Sequence, residues 1–336
     1  MMKLYKIMFF NLMMIGTLIS ISSYSWMSMW MGLEINLLSI IPLLSSSKNM
    51  FKSESSMKYF ISQALASLIL LFSIIMMLSL TEFITPKMNS SFTMMFNCAL
   101  LTKMGAAPFH FWFPEVMENQ TWWNCLIILT WQKIAPMILL MNNNLNINFM
   151  MFSVIMSLII SFLMAMNQTS LRKILTFSSI NHLAWMLTST MISFSYWLIY
   201  FVIYFLISIN IIVMFKMTNS FYLKQLINSM NSNKLFKLSI LLNFFSLSGI
   251  PPFLGFLPKW LVINWLILNN FYMLSFILIM LTLFMIFIYM QMMFSSLLLN
   301  YDENLNKINF NSFVMICLNF NVLLSMIFCT LIFNFI

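Results

Sequence analysis

The sequence predicts an all-α fold, a polytopic transmembrane helix bundle of about eleven spans forming a single integral membrane domain over 1–336. Three observations carry that expectation. Hydrophobic residues make up 62% of the chain and charged residues 7%, so a soluble core with a charged coat cannot be built. Apolar runs of about twenty residues follow one another with short polar interruptions. Two of these runs are broken by the same Gly/Pro pattern, a repeat that typifies membrane proteins built from discontinuous helices.

Taken in order, the first run covers 4–22 and follows Lys3 and Lys6. It has the outline of a secretory signal ending near Ser22 or Ser23, but with no soluble domain after it to export, a first span is the expectation. Spans at 26–45 and 57–80 follow, then a broken one at 89–119. Four unbroken runs come next, at 121–141, 147–166, 174–192 and 194–216. A second broken span covers 236–268, and 271–295 and 311–335 complete the set. Each is read as a helix because backbone polar groups in lipid must be satisfied within the segment.

Counting loops alternately, Lys3, Lys6, Lys48, Lys52, Lys58, Arg172, Lys173, Lys216, Lys224, Lys234, Lys237 and Lys307 fall on one side and Lys87 on the other. This positive-inside bias puts the N-terminus on the matrix or cytoplasmic side. It also accounts for the net charge of +9 without nucleic acid as a partner. Cys98, Cys125, Cys317 and Cys329 are scattered with no C-x-x-C spacing, so neither a disulfide framework nor a metal cluster is expected.

The broken spans share G-x-x-P-F-x-x-x-x-P: Gly105, Pro108, Phe109 and Pro114 in one, Gly249, Pro252, Phe253 and Pro258 in the other, 144 residues on. A charge follows each, Glu115 and Lys259. The copies lie five spans apart, which makes the repeat inverted, with residues 89–216 as a first half, 236–335 as an incomplete second half and 1–80 as flanking helices. Inverted repeats place substrate or ion sites near the midplane, where broken helix ends meet ionisable side chains.

Four ionisable residues fall inside apolar runs: Glu34, Lys103, Lys133 and Lys259. Each costs roughly 2.5–3.5 kcal/mol at a helix centre on insertion scales, so partners or water must stabilise them. An opposite charge favours protonated lysine and burial disfavours it, so a lysine balanced between the two can exchange a proton near neutral pH. Pairing with Glu34 holds a lysine protonated, and separation releases the proton. The bland readings stand beside this one: packing for Lys133, and a cap on freed carbonyls for Lys259. His182 shares a helical face with Ser178 and Ser189 and suits proton exchange, or is a satisfied core histidine. His110 is either a lining or a packing residue, and Glu115 and Glu118 read as solvated loop charges.

The segments Trp30-Met-Gly-Leu-Glu34-Ile-Asn, Lys103-Met-Gly-Ala-Ala-Pro-Phe-His-Phe-Trp, Thr130-Trp-Gln-Lys133-Ile-Ala-Pro and Gly249-Ile-Pro-Pro-Phe-Leu-Gly-Phe-Leu-Pro-Lys259-Trp resemble the subunit 2 family of mitochondrial NADH:ubiquinone oxidoreductase, respiratory complex I. The likeness runs from about residue 12 to about residue 300. With one Arg, 37 Met and 36 Phe, the composition suits an AT-rich genome such as arthropod mitochondrial DNA, and the likeness is to an insect version. The family belongs to the antiporter-like membrane subunits, related to Mrp-type cation/proton antiporters. The resemblance implies a proton-translocating subunit of the mitochondrial inner membrane, partnered by sister antiporter-like and other membrane-arm subunits and by lipid. It implies no cofactor on this chain, with NADH, FMN, iron–sulfur clusters and ubiquinone elsewhere in the complex.

By motif match, Glu34 and Lys103 are the family's carboxylate–lysine pair, Lys133 the central relay lysine, Lys259 the lysine of the second broken helix and His182 a residue of the polar axis. The chain departs from the fourteen-span bacterial pattern by three N-terminal helices. It shows no long C-terminal amphipathic helix, unlike the distal sister subunit, and Lys259 stands where another sister carries glutamate. Two other functions remain open, an autonomous Na⁺ or K⁺/H⁺ antiporter and a structural spacer. The first calls for intramembrane carboxylates beyond Glu34, and the second leaves four buried ionisable groups unexplained. No phosphate loop, nucleophile–base pair or bis-His haem site is present to support an enzyme acting alone.

Overall fold

The computed structural model describes residues 4–46, 48–80, 86–143, 146–232, 234–251 and 253–298. The expected span at 311–335, together with Lys3, Lys307, Cys317 and Cys329, lies outside the described residues. The chain divides into two compact units, 1–157 and 158–336.

The first unit contains α1 (Leu4–Ser22), α2 (Trp26–Leu44), α3 (Met50–Leu80), α4 (Pro86–Met104), α5 (Trp112–Glu118), α6 (Trp122–Leu129) and α7 (Trp131–Asn142). The unit boundary falls within α8 (Ile147–Ala165). The second unit continues with α9 (Leu171–Ile192), α10 (Phe194–Met217), α11 (Leu223–Ser232), α12 (Lys234–Ser248), α13 (Phe256–Leu268) and α14 (Tyr272–Leu298). Among the described residues seven segments are long and apolar enough to cross a membrane: α1, α2, α3, α6 with α7, α8, α10 and α14. The expected eleven would add the two broken segments, α9 and the stretch at 311–335.

In the first unit α1 and α2 pack at backbone distance. A Cβ on Gly16 would stand 2.9 Å from the Asn36 nitrogen, and one on Gly32 would stand 2.6 Å from that of Ser20. Small residues at such crossings let helices associate without a hydrophobic drive between them. Several helix limits differ by a few residues from the sequence expectation, and three differences have a clear physical reason. Helix α3 begins at Met50 rather than 57, and the Glu54–Lys58 pair at 2.9 Å supports its added polar turns. The run at 121–141 is two helices, because the backbone departs from helical geometry at Thr130 (φ −116°, ψ −68°), whose hydroxyl turns back on Leu126 O at 2.6 Å. Helix α11 was not expected, being too short to register as a span. Its buried residues, Leu226, Ser229 and Met230, recur at helical spacing.

Helix α9 organises the second unit. Almost every residue from Ile174 to Thr190 is buried, polar and apolar alike, and α10, α13 and α14 pack on it. A helix buried on all sides can carry Ser178, Asn181 and His182 only because protein, not lipid, surrounds it.

The two Gly/Pro breaks have the same backbone design. Gly105 ends α4 at φ +73°, and Gly249 ends α12 at φ +75°. In each the glycine N–H returns to the carbonyl three residues back, Thr102 or Ser246, at 3.2 Å. The next N–H, of Ala106 or Ile250, bonds the carbonyl five back, Leu101 or Phe245, at 3.1 and 3.4 Å. This is the Schellman closure, which requires the left-handed conformation that glycine adopts without penalty. Past the turn, Phe109 N–H to Ala106 O and Phe113 N–H to His110 O are matched by Phe253 to Ile250 and Leu257 to Leu254.

The copies differ at Gly255, whose counterpart is Phe111. A Cβ on Gly255 would lie 1.9 Å from Ser246 O, a backbone atom that cannot turn aside. Gly255→Ala is therefore expected to reduce heat resistance of the membrane-embedded chain more than Gly105→Ala. The latter meets only the movable Phe113 ring at 3.1 Å, beyond the cost of about 1–2 kcal/mol for a left-handed alanine. Equal residual folded chain after graded heating would contradict this.

Candidate functional site

Each unit assembles its own set of the singled-out residues. In the first, Lys103 occupies the last turn of α4, 6% exposed, so its charge stands at the negative end of that helix. The carbonyls freed at the break are taken up by protein. Gln63 Nε2 donates to Lys103 O at 3.3 Å, and Trp112 Nε1 donates to Thr102 O at 3.0 Å.

A polar cavity of about 10 Å³, room for about one water, lies here; Leu33, Asn36, Tyr59, Gln63, Lys103 and Gln132 are among its lining residues. Asn36 and Gln132 exchange amide hydrogen bonds at 3.1 and 2.9 Å, and Tyr59 Oη is 3.5 Å from Gln132 Oε1. Among the described residues Lys103 Nζ has no hydrogen bond. Half-buried Glu34 makes no ion pair with it within 4.0 Å but acts on it through space. This carboxylate and lysine thus share a site without being locked together.

Lys133, in the first turn of α7, is 1% exposed, and its Nζ lies 5.9 Å from the centre of the Phe113 ring. That ring also lies against Gly105, so the break in α4 positions the aromatic face that meets the Lys133 cation. His110 is buried within the break itself, Nδ1 3.3 Å from Pro108 O and its ring 4.4 Å from that of Phe111. Glu115 faces outward and, with Glu54, pairs with Lys58 at 3.0 Å, both side chains well exposed. Sequence reading missed that pair.

In the second unit Lys259 sits in the first turn of α13, 7% exposed. Its Nζ donates to Ser248 O at 2.7 Å, at the end of α12, and stands 5.8 Å from the centre of the Trp185 ring. No Asp or Glu occurs anywhere between Glu118 and Asp302. The negative end of α12 therefore does for Lys259 what Glu34 does for Lys103. One turn from Trp185, His182 Nδ1 lies 2.9 Å from Tyr200 Oη, and the His182 and Tyr204 ring centres are 5.1 Å apart.

Sequence reading passed over Asn36, Gln63, Gln132, Tyr59, Tyr200 and Tyr204. For Gln63 and Gln132 the signal was present, an amide inside an apolar run. For the tyrosines it was not, since tyrosine is ordinary in a chain 17% aromatic.

Residues 23–285 match the family described as NADH:quinone oxidoreductase/Mrp antiporter, TM. The chain is 48% identical over 313 residues to NADH-ubiquinone oxidoreductase chain 2 of Anopheles gambiae, covering 92% of each. The chain belongs to the NADH-ubiquinone oxidoreductase chain 2 family. The Aedes aegypti member is 47% identical over 337 residues, covering 98% of each. The fold of this chain is similar to that of a chain in respiratory complex I from Thermus thermophilus, with a TM-score of 0.84 at 18% identity over 97% of this chain and 78% of that one. The resemblance drawn from the motifs and the all-helical membrane fold both hold for this chain 2 family member.

The amide pair gives a direct test of how the polar cavity is held. Asn36→Leu alone strands the Gln132 amide and is expected to cost about 1–3 kcal/mol, whereas Asn36→Leu with Gln132→Leu should restore much of that loss. A thermal-stability cycle on the solubilised protein reads this out, and additive losses would show that the pair is not a unit.

Proposed function

We propose that this chain 2 family member is the antiporter-like, proton-translocating subunit of respiratory complex I. In this reading it moves protons across the mitochondrial inner membrane, coupled to electron transfer from NADH to ubiquinone on other subunits. The observation that carries the reading is a buried lysine at each broken helix, Lys103 closing α4 and Lys259 capping α12. Such residues are costly in a membrane and mark proton and ion paths.

In the first unit the proton step is an exchange at Lys103. With the Glu34 carboxylate close, the ammonium is favoured; as the two separate or water fills the cavity, the proton passes on and the neutral amine remains. Lys133, held over Phe113, is the next acceptor. In the second unit His182 and Lys259 take the same role. Because the groups interact, they titrate as a set.

The chain holds no cofactor in this reading; NADH, FMN, iron–sulfur clusters and ubiquinone act on partner subunits of the parent complex. Its neighbours are sister antiporter-like and other membrane-arm subunits and lipid, not nucleic acid. The twelve basic residues against one on alternate loops support an N-terminus on the matrix side. The matched hydrogen bonds of the two breaks support the two repeat halves, 89–216 and 236–335. A cation/proton antiporter acting alone is the second reading, favoured by the Mrp antiporter named in the matching family. Cation flux through vesicles containing this chain alone would establish it.

Two substitutions separate proton chemistry from architecture. Lys103→Met removes an ammonium that makes no hydrogen bond among the described residues, so it should lower proton pumping by about an order of magnitude while the complex assembles. Normal pumping in reconstituted vesicles would end the relay role. Lys259→Met also strands Ser248 O, so it should reduce the assembled complex as well, at a cost of about 1–3 kcal/mol, whereas Lys259→Arg retains the cap. Native-gel yield measures that difference, and equal yields for Met and Arg would exclude the cap.

A further inference from the structure

We propose that Tyr200 is a positioning residue for proton transfer at His182, an inference that rests on the relay reading above. Tyr200 comes from α10 and His182 from α9, and the phenol oxygen lies 2.9 Å from Nδ1. Both are buried, at 2% and 4% exposure, so the phenol is not exchanging with bulk water for this contact. A neutral imidazole passes a proton only when one nitrogen carries hydrogen and the other is bare, and the partner of the first nitrogen decides which is which. In this inference the Tyr200 oxygen accepts from Nδ1–H, which holds the imidazole in the tautomer whose Nε2 is basic. The relayed proton then arrives at Nε2 to form the imidazolium and leaves from Nε2 to restore the neutral ring. Nδ1–H and the Tyr200 proton stay in place throughout, so charge and protons balance at one nitrogen.

The other groups around His182 leave this task to Tyr200. Tyr204, also on α10, meets the imidazole through its ring at 5.1 Å and bonds Ser179 through its hydroxyl. Tyr289, on α14, lies near Phe244, ring centres 6.1 Å apart, and makes no hydrogen bond to His182. From α13, Lys259 lies against Trp185 and caps Ser248. No carboxylate is present among the described residues of this unit. The neutral phenol thus stands where a carboxylate or carbonyl commonly orients a working imidazole. A carboxylate there would hold a permanent positive charge on the ring, whereas a phenol fixes the tautomer and leaves the ring free to cycle.

The test measures protons moved per NADH oxidised, across pH, in vesicles containing the whole complex with Y200F, H182Q or both. Y200F keeps the ring packing and removes the oxygen. It is expected to assemble, to oxidise NADH when uncoupled, to lower the proton yield about tenfold and to displace the pH profile, with the double variant no worse than H182Q alone. A wild-type yield and profile in Y200F while H182Q is deficient would overturn this inference alone. Normal pumping by H182Q would remove His182 from the relay, and this inference with it. Should Y200F not assemble, Y200Q replaces it, since its carbonyl can accept the same N–H. A wild-type profile would then support the anchor, and a displaced one would overturn it.

Discussion

A helix interrupted inside a membrane releases carbonyl groups that lipid cannot satisfy, and the arrangement of this molecule follows from how those carbonyls are taken up. At the end of α4 the turn N–H groups of Gly105 and Ala106 close two of them, and the side chains of Trp112 and Gln63 reach Thr102 and Lys103. At the end of α12 the N–H groups of Gly249 and Ile250 repeat the closure, and Lys259 supplies the side-chain donor. The packing of α3 against α4, the short α5 and the buried first turn of α13 all serve these ends. A cation then falls at each negative helix terminus, because that is where a buried positive charge costs least.

The two breaks share a backbone and differ in chemistry. Glu115 and Lys259 occupy matched positions, yet Glu115 faces outward to Lys58 and Lys259 inward to Ser248. The first unit offers its lysine a half-buried carboxylate, Glu34, that forms no ion pair with it, and a small cavity. The second, without any carboxylate among its described residues, offers a backbone carbonyl and an aromatic face. The same turn thus surrounds its lysine differently in the two units.

Burial without lipid contact lets α9 contribute. Its polar run includes Thr176, Ser178, Ser179, Asn181, His182, Thr188 and Ser189, and most of its hydroxyls bond carbonyls three residues back on the same helix. His182 instead reaches across to α10. The helix lacks the apolarity to span a bilayer by itself and depends on α10, α13 and α14 around it.

By itself the sequence determined the helical membrane class, most helix positions, the two breaks and the family, because hydropathy, glycine and proline act through local geometry and solvent. It also singled out Glu34, Lys103, Lys133, Lys259 and His182, since a charge or imidazole in an apolar run stands out wherever it points. Only the tertiary structure decided their partners. Asn36 and Gln132 meet across 96 residues, Lys133 meets Phe113 through the α4–α5 break, and Tyr200 reaches His182 from the next helix. It likewise decided that α11 forms and that Thr130 divides α6 from α7. Those pairings depend on helix crossing and rotation, which the packing of distant side chains fixes and no local pattern encodes.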